Sequence, residues 1–242
     1  MPVLAIRNLT KTFTLHTVDG RTVSSLRGVD LDVHAGEHVA LAGPSGAGKS
    51  SLLRCVHRSY LPDTGTVTLR TGTGLVDLTT LADRAMARLR GRELGFVSQF
   101  LSAPPRTGPL EVVAAAARRR GLSRTEAAEA ADGLRGLGLD EALWDVDCGV
   151  LSGGERQRVN LAAGTVRPPR LLLLDEPVSA LDPANRERAL VLVESLTARG
   201  VAVLAVFHDP DALRRLATRV VQLSEGRITR QGTADEVLGV AA

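Results

Sequence analysis

The sequence predicts an α/β fold: a mostly parallel sheet, preceded by an antiparallel β subdomain and interrupted by an inserted helical subdomain. Three observations carry this. Short runs at 38–42, 171–174 and 201–207, apolar throughout but for His38, have the length and composition of strands buried on both faces. Helical patterns separate these runs, and that alternation is what builds a parallel sheet. From about 100 to 165 the composition shifts to Ala, Arg and Glu with few β-branched residues, as suits helices added to such a core.

Taken in order, residues 3–34 alternate apolar and polar, notably at Val29, Leu31 and Val33, which predicts an antiparallel layer with one buried face. His38–Ala42 reads as a buried strand, followed by a glycine-rich turn and a helix through Leu52, Leu53 and Val56. Thr66–Arg70 is a strand entered through Asp63-Thr64-Gly65, Leu81–Arg90 a charged helix, and Glu93–Ser98 a strand ending at Gln99. Pro109 and Glu111 open a helix that Arg118-Arg119-Arg120 and Gly121 close, with charges matched to the helix dipole. Ser123 and Glu126 have capping-box spacing ahead of an Ala-rich helix to Leu134. Ser152 and Glu155 repeat that spacing at the head of a helix spanning Leu151–Thr165, which Pro168-Pro169 stop. Leu171–Leu174 ends in Asp175-Glu176. Asp182-Pro183 starts a helix carrying Ala189, Leu190, Val193 and Leu196; Val201–Phe207 is a strand with His208 at its tip. A helix capped by Asp209-Pro210 then leads to a β pair around Glu225-Gly226.

Bulk composition narrows the function. With 44% hydrophobic and 24% charged residues the 242-residue chain reads as soluble and globular. Aromatics make up only 2%, the net charge is +3, and the longest cationic run is Arg118–Arg120, so a nucleic-acid partner is not expected. Cys55 and Cys148 lack metal or redox spacing and suit a reducing cytoplasm. No apolar run is long enough to span a bilayer. Lys11 and Lys49 are the only lysines among 30 basic residues, which makes the place of Lys49 informative.

Gly43-Pro44-Ser45-Gly46-Ala47-Gly48-Lys49-Ser50 is a G-x-x-x-x-G-K-S loop between a predicted strand and a predicted helix, with Ser51 directly behind it. Its glycines let backbone N–H groups curl around phosphates at the positive end of a helix dipole. Lys49 is placed to reach the β- and γ-phosphates and Ser50 to ligate magnesium. Ligands of a parallel sheet gather at the C-terminal ends of its strands, where Asp175, Glu176 and His208 also fall. Asp175 suits magnesium, Glu176 suits the activation of water, and His208 suits the γ-phosphate or that water. The predicted chemistry is therefore phosphoryl transfer to water.

Leu151-Ser152-Gly153-Gly154-Glu155, with Arg156-Gln157-Arg158, resembles the signature motif of the ATP-binding-cassette (ABC) ATPases, and Ser179-Ala180-Leu181-Asp182 resembles their D-loop. Gln99 then matches the Q-loop, a further magnesium contact, His208 the switch histidine, and Phe13 the aromatic that stacks on adenine. The resemblance implies a P-loop NTPase with a RecA-like core. Residues 1–98 and 166–242 would form the nucleotide-binding core with its β subdomain, and 99–165 the helical subdomain. It further implies ATP and magnesium as ligands and a head-to-tail pair with a second cassette, identical or not. In such a pair Ser152, Gly153, Gly154 and Glu155 face the partner's ATP, and Asp182 sits where the two meet.

Within the family the chain is similar to the PhnL-type ATPases of the bacterial carbon–phosphorus lyase system. The likeness rests on Lys11-Thr12-Phe13-Thr14-Leu15-His16, Tyr60–Gly65, Val97–Leu101 with Pro105-Arg106, and Phe207-His208-Asp209. Phe207 stands where a transporter cassette usually has threonine, and Val178 replaces a common threonine. This likeness implies a cytoplasmic ATPase that supports formation of ribose phosphonate triphosphate, with carbon–phosphorus lyase components as partners. The alternative is the ATPase of a membrane exporter of the lipoprotein-release or macrolide type, with a permease as partner.

Overall fold

The structure, a computed structural model, describes residues 1–15, 21–121 and 125–239. In its first sheet, β1 (Leu4–Leu15) pairs antiparallel with β2 (Arg21–Val33) and with β4 (Thr64–Thr71). A short edge strand, β5 (Gly74–Asp77), completes the order β2-β1-β4-β5 and was not foreseen in the sequence. Leu4, Ile6, Val29, Leu31, Val67 and Leu69 form its buried face. The register shifts between Ile6 and Leu9, where Asn8 takes a φ of 46°, and this irregularity keeps Leu9 buried as well.

The second sheet runs β10-β9-β3-β8-β7-β6. Parallel pairing joins β3 (His38–Ala42), β6 (Leu94–Val97), β7 (Leu171–Asp175), β8 (Ala202–Val206) and β9 (Arg219–Ser224); β10 (Arg227–Gly232) lies antiparallel on β9. Every residue of β3, β7 and β8 is buried, because both faces of these strands are covered. Leu172, Leu174 and Ala205 belong to one apolar cluster, Leu171, Leu173 and Leu204 to another, as the two-residue period of a strand requires. The second cluster is shared with the first sheet and with α1 (Lys49–Val56). The first is shared with α3 (Pro109–Arg120), α4 (Glu126–Gly136), α5 (Gly153–Thr165) and α6 (Pro183–Ala198).

Local chemistry sets the helix ends. α5 begins at Gly153 rather than Leu151, because Ser152 is its N-cap and Leu151 is buried ahead of it. The Ser123 cap foreseen for α4 lies outside the described residues; at the N-cap position Thr125 donates its hydroxyl to Glu129 instead of capping. Arg120 is no free cation: it donates to the carbonyls of Ala163 and Val166 and so fastens α3 to the end of α5. Burial pushes its pKa down to about 10. α2 (Asp83–Arg92) lies where a charged helix was read, and α7 (Pro210–Leu216) follows β8. A last helix, α8 (Ala234–Leu238), has a Thr233–Glu236 capping box the sequence reading overlooked. Among the described residues no helix is long and apolar enough to cross a membrane.

Candidate active site

Gly43–Ser50 joins β3 to α1 at the C-terminal edge of the parallel sheet. Two of its glycines are required by geometry. A Cβ on Gly43 would lie 2.1 Å from the Leu223 carbonyl oxygen, and one on Gly48 2.3 Å from that of Ser25; their φ angles are 133° and 105°. The loop floors a cavity of about 230 Å³ lined by Ser25, residues 45–51, Glu176, Val206 and His208. Residues from four separate parts of the chain thus meet at one sheet edge, beside β3, whose neighbours β8 and β9 come from the last quarter of the chain.

Lys49 is only 7% exposed, and its ammonium donates to the carbonyl oxygens of Gly43 (2.7 Å) and Pro44 (2.9 Å). Burial lowers its pKa, opposed by the negative charges of Glu176 and Asp175. Ser50 donates its hydroxyl to the buried Asp175 carboxylate at 3.1 Å. Glu176 follows with a φ of 54°, a left-handed conformation that a side-chain-bearing residue seldom adopts outside strained sites. Its backbone N–H donates to the Val206 carbonyl at 3.0 Å, and its Oε1 lies 2.9 Å from His208 Nε2. The turn at Glu176 therefore swings the second carboxylate away from Asp175 and towards β8. Ser51 accepts a 2.8 Å hydrogen bond from Ser25, which ties α1 to β2.

The donor set fits a hard cation that brings its own remaining ligands. Ser50 and Asp175 supply two oxygens side by side, and among the described residues no group of three or more His, Cys, Asp or Glu side chains forms a metal cage. Magnesium bound jointly with nucleotide phosphates asks for no more protein than that.

The Ser152 capping box is complete. Its hydroxyl accepts from Glu155 N–H at 3.3 Å, and Glu155 accepts from Ser152 N–H at 2.7 Å, which lowers the Glu155 pKa. Ser152 and Gly153 are exposed, and neither lines the phosphate-loop cavity of its own chain. Gly154 packs against the next loop; a Cβ there would stand 3.0 Å from the Ala180 carbonyl oxygen. Asp182 is the N-cap of α6, accepting from Asn185 N–H at 3.0 Å, which lowers its pKa. Gln99 is exposed and does not line the phosphate-loop cavity; with Gly153 and Ser179 it borders a larger one of about 520 Å³. Phe13 likewise does not line the phosphate-loop cavity; it lies in β1, packed edge-on against Tyr60 at 5.1 Å and beside Lys11.

Residues 26–179 match the ABC transporter family. The chain belongs to that family. The lipoprotein-releasing system ATP-binding protein LolD 2 of Caulobacter vibrioides is 40% identical over 232 residues, covering 95% of this chain and 98% of LolD 2. The phosphonates import ATP-binding protein PhnC of Bordetella parapertussis is 36% identical, covering 86% and 84%. The fold is shared with the post-hydrolysis dimer of the ATP-binding cassette MJ0796 bound to ADP and Pi, at a TM-score of 0.86 and 28% identity over 96% of this chain and 98% of that one. The protein is an ABC cassette in fold, and ATP hydrolysis is the reaction its family carries out.

Several residues of this cassette's site escaped the sequence reading. Ser25 reads as a polar residue in a strand, and only sheet stacking brings it to the phosphate loop. Gln157, quoted in the signature-like motif, and Asn160 are polar residues of α5 that are only 3% and 7% exposed. Gln157 donates to the Pro177 carbonyl at 2.9 Å and Asn160 to that of Ser98 at 2.6 Å. They fasten α5 to the segment after Glu176 and to the residue before Gln99. Gln157 had a sequence signal in the Arg156-Gln157-Arg158 tail of the signature-like motif; Asn160 had none.

Proposed function

We propose that this chain binds MgATP on Gly43–Ser51 and hydrolyses it at an interface between two cassettes. The convergence of Lys49, Ser50–Asp175 and Glu176–His208 on one small cavity carries this reading. Lys49 exchanges its two carbonyl acceptors for β- and γ-phosphate oxygens, a trade that restores charge pairing to a buried ammonium. Ser50 and Asp175 would hold the magnesium, with Gln99 as a further ligand, and the ion would neutralise phosphate charge. Glu176 takes the proton of the attacking water, and His208 holds the Glu176 carboxylate in place and borders the γ-phosphate. Phe13 stacks on adenine. Residues 99–165 act as the helical subdomain that presents Ser152–Glu155 to the partner's nucleotide, with Asp182 at the seam.

The proposed physiological setting is the carbon–phosphorus lyase system, where ATP turnover supports formation of ribose phosphonate triphosphate. What supports it is where the distinguishing residues lie. Leu61 (56% exposed) and Phe100 (76%) are outward-facing apolar residues, and Gln99, Phe100, Leu101 and Pro105 border the 520 Å³ cavity. Leu61 and Phe100 are thus open to a partner outside the phosphate-loop cavity. A specific observation favours a second setting: LolD 2 matches over almost its whole length, and its name places it in lipoprotein release. In that setting the region 100–120 docks on a membrane permease. Tagged protein isolated from detergent-solubilised cells grown on phosphonate decides between them. Recovery of soluble lyase components with a second cassette supports the first, and recovery of an integral-membrane permease refutes it.

A further inference from the structure

His208 lies beyond the end of its strand. β8 stops at Val206, and the histidine side chain is 59% exposed where it meets Glu176. Its neighbours hold it. Phe207 is buried, and its ring lies 5.7 Å from that of His38, which is buried at the start of β3. The Ala40↔Ala205 register pair stands between them in the same apolar cluster, and two small side chains leave room for the ring. On the other side, Asp209 accepts from the backbone N–H groups of Asp211 (2.9 Å) and Ala212 (3.3 Å), and its other oxygen forms an ion pair with Arg186.

Arg186 belongs to the first turn of α6. Its backbone N–H donates to the Asp182 carbonyl at 2.8 Å, and its Nε is buried without an acceptor, so Asp209 is what places the guanidinium. The loop before α6 returns to the backbone of the reacting residue: Ser179 donates its hydroxyl to the Glu176 main-chain carbonyl at 3.2 Å. These contacts, closed by the chain from 179 to 182, link Glu176, His208, Asp209, Arg186, Asp182 and Ser179. Ser179, Asp182 and His208 are the exposed members, and Ala180 between the first two is exposed as well.

We infer that Arg186 and Asp209 are positioning residues for hydrolysis. Their ion pair fixes the backbone beside His208 and couples the exposed Ser179–Asp182 segment to the Glu176–His208 pair, so that seating a second cassette on that segment aligns the reacting groups. The inference rests on the roles proposed above for Glu176 and His208. Rigid alignment of this kind acts on turnover and not on ground-state binding.

The test measures kcat, KM for ATP and affinity for a fluorescent ATP analogue in Arg186→Met, Arg186→Lys, Asp209→Asn and the Met/Asn double variant of the full chain. Asn at 209 keeps an oxygen for the cap of α7 and loses only the charge. Arg186→Met and Asp209→Asn should each lower kcat about tenfold, leaving KM and analogue affinity within about twofold, and Arg186→Lys should recover most of the loss. The double variant should fall no further than the worse single one, since both remove the same contact. Unchanged kcat, losses that multiply in the double variant, or analogue affinity falling in parallel with kcat would each overturn the inference. A wild-type chain that hydrolyses no ATP would instead overturn the catalytic reading beneath it.

Discussion

Two glycines of the phosphate loop make a controlled comparison. At Gly48, φ is 105° and an added Cβ would meet the Ser25 carbonyl oxygen at 2.3 Å; at Gly46, φ is 78° and nothing lies within 4 Å of the added atom. Gly46→Ala therefore carries only the left-handed backbone cost, about 1 kcal/mol. Gly48→Ala carries a backbone cost of about 1–3 kcal/mol together with overpacking of about 1–3 kcal/mol, because a carbonyl in β2 cannot swing aside as a side chain would. For a domain of this size about 1 kcal/mol lowers Tm by about 2–4 °C. Gly46→Ala should thus lose a few degrees, and Gly48→Ala, at about 4 kcal/mol, about 8–16 °C. To relieve the contact the loop must move by about 1 Å, and Ser25 borders the same cavity, so Gly48→Ala should also weaken ATP binding about 100-fold. Differential scanning fluorimetry and titration with a fluorescent ATP analogue read both effects. Equal Tm losses in the two variants, or normal nucleotide binding by Gly48→Ala, would refute the packing argument.

Glu176→Gln should keep ATP binding, lower hydrolysis at least about 100-fold and accumulate an ATP-bound dimer by light scattering; undiminished hydrolysis contradicts its role as base. Ser152→Ala removes half of the α5 capping box and should cost about 1 kcal/mol, seen as a Tm lower by about 2–4 °C. His38, whose pKa burial lowers to about 3, gives the stability a pH slope. The unfolded chain binds a proton below pH 6.5 that the folded chain refuses until about 3, so stability falls as pH drops through that window, by about 2 kcal/mol at pH 5. His57, lowered to about 4 by burial and then by Arg90, adds to the slope, and His38→Leu should flatten it in urea titrations at pH 7 and 5.

The sequence was legible where cause and effect are neighbours in the chain. Apolar runs such as Leu171–Leu174 form strands because nothing polar interrupts them, and Asp175 and Glu176 follow at the sheet edge by necessity. The phosphate loop is equally local. What escaped was set by distant partners. Gln157 and Asn160 are polar residues on a helix, and only the Pro177 and Ser98 carbonyls explain their burial. The left-handed turn at Glu176, which separates two adjacent carboxylates into two tasks, has no glycine or asparagine to announce it. His38 was read within a buried strand, as it is, but that its ring nitrogens go without hydrogen-bond partners and its ring meets Phe207 depends on β8.

The segment from Leu151 to Asp182 is buried through its middle, in α5 and β7, and exposed near its two ends, at Ser152–Gly153 and at Ser179, Ala180 and Asp182. Gly154 packs on Ala180 and Gln157 binds Pro177, yet Ser152 and Gly153 face away from the cavity that holds Glu176. In the proposed pair this helix N-terminus serves the partner's nucleotide, and the site is complete only across the two chains. Mixing tests this directly. Ser152→Arg spoils the site on the partner, whereas Glu176→Gln spoils its own. In an equal mixture that re-pairs at random, half of the dimers are mixed, and each holds one intact site and one doubly spoiled site. About a quarter of all sites are then whole, and a mixture of two inactive variants should recover about a quarter of wild-type hydrolysis. If Ser152→Arg alone hydrolyses ATP normally, or if the mixture never exceeds its components, the signature helix does not serve a partner's nucleotide.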